Sequence, residues 1–253
     1  MKLYPLSLAA LLAAALAFAQ APPAAPALSA PSAAARPSQP AQAPPPPFSD
    51  ESLRYSVNGP SGRSLGEAQF VSRRVGGRWR FALLLDAAIP GFLVSDSYQS
   101  SAGGEFCSVE FVKTSTHGAR KAEERTDFDA QKGVATRLTL SLGGGHSEIP
   151  APGCARDALS FFYFLRRELG QGRLPPPQTV FFGAPYRLKL ESAGAETIQV
   201  NGRRQEAERV RGSLKGPASE TAFELLLAHD AVRTPLMIRV PLKSGVFSLE
   251  LVR

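Results

Sequence analysis

Soft ligands are scarce in this chain: two Cys, two Met and three His in 253 residues. His117, His146 and His229 lack the compact pair spacings of a zinc site, so no metal centre is expected. No Gly-x-Ser-x-Gly run supplies a serine on a sharp elbow. The glycine-rich "GGGHSE", Gly143 to Glu148, has neither a Walker lysine nor the dinucleotide glycine pattern and reads as a flexible loop. His229 and Asp230 are adjacent, but neighbours on a strand point to opposite faces, so they form no dyad. Asp230 reads as the cap of the turn before "RTP", and Glu123-Glu124 as a solvated strand or loop. With every motif tested missing, the reading is non-catalytic: no catalytic residue and no cofactor are expected.

Long apolar runs are also missing. The run Leu6 to Leu16 is Ala-rich and short against the roughly 20 apolar residues a membrane span needs. With Lys2 ahead of it and Ala17 and Ala19 framing an A-x-A site, residues 1–19 read as a secretory signal peptide. The expectation is an exported protein, periplasmic or extracellular, with no transmembrane span in the mature chain. No cysteine lies near the cleavage site, so a lipid-anchored mature end is not expected. Apart from Leu28 and Arg36, residues 20–47 are Pro, Ala, Ser and Gln, with no pattern able to build a core, and read as a disordered linker. Extended as polyproline II at about 3.1 Å per residue, it would reach on the order of 80 Å.

A net charge of +7 would suggest nucleic acid in a cytoplasmic protein, but export argues against that partner. Two basic groups, Arg73, Arg74, Arg78, Arg80 and Arg203, Arg204, Arg209, Arg211, fall in separate predicted hairpins with acidic residues between. They read first as a charged soluble surface. The sharper reading is attraction to anionic lipid, glycan or another anionic envelope polymer.

Residues 48–253 read as a single β-rich domain. Short segments rich in aromatic and β-branched residues recur between Gly, Pro, Asn and Asp, the pattern of an antiparallel all-β domain. Phe247, Leu249 and Leu251 point one way and Ser248 and Glu250 the other, so one face is buried and one wet. Asn58-Gly59 and Asn201-Gly202 suit turns with positive φ. Strands too short for a lipid-facing girdle oppose an outer-membrane barrel.

One stretch departs from this alternation: "RDALSFFYFLRREL", Arg156 to Leu169. Asp157 suits the cap of a helix over about 157–169, Arg166 and Arg167 its negative end, and Gly170 a left-handed stop. Ala158, Phe162, Leu165 and Leu169 form one stripe, and Phe161, Tyr163 and Phe164 occupy most of the remaining circumference. A helix without a wide polar face must be enclosed on more than one side. The fold expected is therefore mainly β: a curled or incompletely closed antiparallel sheet, a half-barrel, with one central buried helix.

Cys107 is placed on the apolar face of "EFCSVEFVK" with Val109 and Phe111, and Cys154 comes just before the helix. In an oxidising compartment the pair is expected to close. Such a Cys107–Cys154 bridge would staple the helix start to the sheet, stabilising by roughly 4 kcal/mol in the chain-entropy model.

The chain resembles an exported bacterial family catalogued as domain of unknown function 3108. The likeness is carried by "ESLRYSVNGPSGRSLGEA", "DALSFFYFLRREL" and "HDAVRTPLMIRVPLKSGVFSLELV". It departs at Leu225-Leu226-Leu227, where the family often has a Trp. The resemblance implies a cradle like that of bacterial lipoprotein carriers, a curved sheet covered by helix, and brings no activity. Together these readings give a non-catalytic cell-envelope protein binding an apolar or lipid-like ligand in a β-cradle, with Phe161, Phe162, Phe164 and Leu165 as candidate pocket residues. Lipid, lipoprotein or an anionic envelope polymer are the partners it would meet. The alternative is a structural or protein-interaction domain whose helix fills the concavity; a hydrolytic enzyme ranks below both.

Overall fold

The computed structural model describes residues 48, 50–89, 92–141, 143–217 and 219–252. The expected signal peptide, 1–19, and linker, 20–47, lie outside the described residues. The first half of the sheet comprises β1 (Glu51–Asn58), β2 (Ser64–Val75), β3 (Arg78–Ile89), β4 (Phe92–Ala102), β5 (Ser108–His117), β6 (Arg120–Asp129), β7 (Val134–Thr139) and β8 (His146–Pro150). A short β9 (Arg156–Asp157) leads into α1 (Ala158–Gly170). The second half follows as β10 (Gln178–Phe181), β11 (Pro185–Val200), β12 (Arg203–Lys215), β13 (Glu220–Ala228), β14 (Pro235–Leu242) and β15 (Gly245–Val252).

The fifteen strands of the described residues join one sheet in the order β8-β7-β6-β5-β4-β3-β2-β1-β15-β14-β13-β12-β11-β10-β9. Successive hairpins build each half, and β15 returns to β1 to fuse them, with Tyr55 opposite Leu251 and Val57 opposite Leu249. Among the described residues only β9 pairs parallel, with β10. The two halves then approach across a seam. Ser108 N donates to Ala155 O at 2.8 Å, and Cys107 and Cys154 are disulfide-bonded across a sequence separation of 47. Beyond the seam β6 and β7 overlap β10: Phe128 and Ala135 pack on Phe181, and Arg137 Nη1 donates to Gly183 O at 2.9 Å. The result is an open, curled sheet, as the enclosed helix predicts.

Period-two burial sets the inner face: Tyr55 and Val57, Ala68 and Phe70, Phe81 and Leu85 and Ala87, Val94 and Tyr98 all point to the core. Strands are longer than expected, because "YRLKLES" and "ETIQV" are one strand, β11, interrupted by a bulge between Ser192 and Ala195 where Gly194 takes φ 80°. The bulge turns the end of the β11–β12 hairpin across the sheet's back. There Ile198 and Val200 cover Leu226, and Glu196 binds Arg209 at 3.2 Å and Arg239 at 2.9 Å. That hairpin closes through Asn201 and Gly202 at φ 53° and 69°, the positive values a two-residue turn needs. The "GGGHSE" segment is only in part a loop, since His146 begins β8.

The helix starts where expected: Asp157 caps it, its side chain accepting from Leu159 N and Ser160 N. It ends differently. Gly170 is still helical, and its missing Cβ admits the Ala231 carbonyl, which a side chain would approach to 2.6 Å; Gly172, at φ 73°, makes the left-handed turn. Burial runs almost all round α1, taking in Leu159, Phe161, Tyr163, Leu165 and Leu169 as well as Ser160 and Arg166. Contacts with β3, β4, β9 and β10 enclose it on more than one side.

Candidate functional site

The helix N-terminus is held by a buried polar cluster. Asp157 Oδ2 accepts from the hydroxyls of Ser100 at 2.6 Å and Ser108 at 2.5 Å, while Oδ1 takes the two helix amides. Ser160 Oγ lies 2.7 Å from Ser108 Oγ and Asp157 N donates to Ser108 Oγ at 2.8 Å, so both carboxylate oxygens have donors and three amides at the helix start have acceptors. Burial pushes the Asp157 pKa up, and these hydrogen bonds pull it part-way back. Ser108 reaches this position because the β4–β5 ladder slips between Ser101 and Ala102. The slip corrects the expected face: Ser108 and Phe111 point inward, Val109 is only half-buried, and Cys107 stands just before the strand.

Arg166 was expected to meet the negative helix end, yet it is fully buried. Its Nη1 and Nη2 donate to the Glu51 carboxylate at 2.6 and 2.8 Å, and Nε is shared by Val232 O and Arg233 O at 3.2 Å. Its guanidinium lies 4.5 Å from the Phe48 ring centroid and 5.3 Å from that of Tyr163. Tyr163 in turn stacks on Phe81 with centroids 4.2 Å apart. This ion pair ties α1 to β1 and to the β13–β14 turn.

The candidate pocket residues divide. Phe161 and Leu165 are buried at 5% and 1% exposure among Leu188, Leu190, Val210, Leu225 and Leu227. Phe162 and Phe164 are half-buried; Phe162 sits 5.0 Å from Phe70. Phe164 lies under two cations at the seam, the Arg156 guanidinium 3.7 Å and the Arg167 guanidinium 5.2 Å from its ring centroid. Two clefts, of about 690 and 700 Å³, open elsewhere. One lies over Lys189, Arg211, Ala222, Glu224, Arg239 and Pro241, on the side of β11–β14 away from the helix, and the other over Ser52, Arg54, Ser56 and Glu67. Neither is lined by a residue of α1.

The histidines stay apart. His146 is exposed on β8, and His229 sits in the β13–β14 turn, 3.4 Å from Arg233 Nη1. Asp230 in that turn accepts from Thr234 N at 2.9 Å and Thr234 Oγ1 at 2.6 Å. His117 has partners sequence reading missed: its Nε2 is 2.8 Å from Asp96 Oδ1, and Tyr98 donates its hydroxyl to Asp96 Oδ2 at 2.8 Å. Alternation puts Asp96 and Tyr98 on one face, but only the β4–β5 register brings His117 beside them. Burial and the Asp96 charge raise the Tyr98 pKa. Among the described residues no group of three His, Cys, Asp or Glu is placed to hold a metal ion, and no helix is long and apolar enough to cross a membrane. The first basic group is exposed at the β2–β3 hairpin, whereas Arg209 and Arg211 of the second are paired with Glu196 and Glu224.

A family model described as a protein of unknown function (DUF3108) matches residues 54–252. The chain belongs to this family. The match spans both halves of the sheet, the seam and the helix. No curated protein and no solved structure matches the chain.

Proposed function

We propose that this is a non-catalytic exported protein of the cell envelope that binds a lipid-like, amphiphilic ligand along the seam of its cradle. The observation that supports it is the division of α1. Phe161 and Leu165 are spent on the core, while Phe164 stays half-buried beneath two guanidinium groups where the curled sheet fails to close. A half-open apolar surface rimmed by cations suits a ligand with an apolar body and a polar or anionic head. Enclosure in a closed cavity under the helix is not part of this reading, since α1 occupies the concavity.

A second reading is favoured by the packing itself. Tyr163, fully buried and stacked on Phe81, and the locked Arg166 are what a purely structural or partner-binding domain would show. Native mass spectrometry of the protein purified from its own envelope separates the two. A reproducible bound lipid that disappears in Phe164→Trp, with the fold intact by circular dichroism, supports the carrier reading. Clean apo-protein, or a stoichiometric protein partner, leaves the structural or interaction reading.

A further inference from the structure

Arg156, like Arg137 on β7, is an arginine with a buried, unpartnered Nε and no carboxylate partner among the described residues. It sits on β9 at the seam, its guanidinium stacked on Phe164, with neutral acceptors alone: Nη1 makes a long contact to Gln178 Oε1 at 3.4 Å and Nη2 an ordinary hydrogen bond to the Glu105 carbonyl at 3.1 Å. A buried unmade donor on a charged group is costly, so its retention calls for an acceptor. The neighbouring charge adds to the cost. Arg167 approaches the same ring from the next turns of α1, and desolvation followed by the Arg167 charge lowers the Arg156 pKa.

Glu105 stands over this pair. Its carbonyl takes Arg156, its carboxylate takes Arg167 Nη1 at 3.1 Å, and its side chain is 76% exposed. An exposed carboxylate on a flexible side chain is poorly held and readily exchanged for another anion. Arg167 is also supported from the far side by Glu168, at 3.2 Å, so it stays in place when Glu105 leaves.

From this geometry we infer that Arg156 and Arg167 form a phosphate-binding site at the seam, with Phe164 as its apolar floor and Glu105 as the intramolecular group that a phosphate displaces. A phosphate group fits better than a carboxylate. Two forks reach the site from different elements, and a phosphate offers enough oxygens to accept from both, whereas the two oxygens of a carboxylate match one fork. This deepens the reading of a lipid-like ligand by assigning its head group, and it rests on that reading for the apolar part alone.

The test is isothermal titration of the disulfide-intact protein with three probes: inorganic phosphate, dihexanoyl phosphatidic acid below its micelle concentration, and uncharged dihexanoylglycerol. Saturable binding of phosphatidic acid is expected to weaken at least about tenfold in Arg156→Gln and in Arg167→Gln, each removing one charge-assisted fork. Glu105→Gln is the decisive variant, being at an exposed position that leaves the core untouched. It is expected to tighten phosphate and phosphatidic acid about threefold or more by removing the competing anion. A merely structural Arg156 would leave Glu105→Gln unchanged. Inorganic phosphate bound as tightly as phosphatidic acid would keep the site and assign it to free phosphate, overturning the lipid reading. Dihexanoylglycerol bound alone, insensitive to all three variants, would keep the lipid reading and overturn the phosphate site. Binding of none of the probes would overturn both.

Discussion

Removing Glu51 should damage this protein more than its position at the start of the first strand suggests. The carboxylate, 15% exposed, is the only anion paired with Arg166 among the described residues, and the Arg166 side chain has no solvent exposure. Glu51→Leu leaves a guanidinium buried against Phe48 and Tyr163 with two backbone carbonyls for company. Stranding one member of a buried pair typically costs about 3–5 kcal/mol. For a domain of this size each kcal/mol shifts the melting temperature by roughly 2–4 °C. Arg166→Met removes the charge and keeps much of the stem's packing, so it should cost less, on the order of 2 kcal/mol, mainly from the partners left unpaired. The double variant, with both charges replaced by apolar groups of similar size, should recover at least about 1 kcal/mol relative to Glu51→Leu alone. Urea unfolding of the oxidised protein gives all four stabilities. Additivity of the two single effects within about 0.5 kcal/mol would refute the reasoning, because independent sites add in that way.

Further outcomes are expected. Cys107 and Cys154 should resist alkylation in unreduced, denatured protein, and Cys107→Ser with Cys154→Ser should lose up to about 4 kcal/mol of stability by loop closure alone. Two free thiols would contradict the pairing. Asp157 has its pKa raised by burial, so the folded state holds its proton more tightly than the unfolded chain. Its contribution is therefore most favourable at low pH and declines as pH rises from the ordinary carboxylate value through the raised one. Relative to wild type, Asp157→Asn should gain stability over that window in urea unfolding measured at successive pH values. A difference that is flat, or of opposite slope, would count against a desolvated carboxylate. Leu165→Ala should cost about 2–5 kcal/mol in the same assay if Leu165 is core. A cost under about 1 kcal/mol would return it to the list of pocket residues.

Local signals carried the architecture and failed where register decides. The Asn201-Gly202 turn, the Asp157 cap and the enclosed helix were readable because each depends on neighbours within a few residues. The strand alternation was readable for the same reason. Arg166 misled because its position in the last turns satisfied a helix-end rule, and nothing local announces that Glu51, 115 residues away, comes to meet it. Alternation puts Cys107 on the face of Phe111, but the extra residue at Val109 shifts every later side chain to the other side of the sheet. The Asp96–His117 contact and the Arg156–Glu105 contact depend likewise on pairing between segments, which periodicity does not specify.

The stretch "DALSFFYFLRREL" looks like a functional signature, yet most of it is accounted for by structure. Asp157 and Ser160 close the polar cluster with Ser100 and Ser108. Phe161, Leu165 and Leu169 join the core of the second half, while Tyr163 stacks on the first half and Arg166 locks the helix to Glu51. Subtracting these leaves Phe162, half-buried against Phe70, and then Phe164 and Arg167, which meet Arg156 from just before the stretch. Phe164 and Arg167 thus come together at the seam, where Ala155, Cys154 and Ser108 hold the two halves together, while Phe162 packs on the core of the first half. A seam is where backbone donors and charged side chains of two halves converge without a continuous ladder to absorb them. That convergence is why Arg156 and Arg167 meet over Phe164 at this place, with only the exposed Glu105 carboxylate reaching across from the first half.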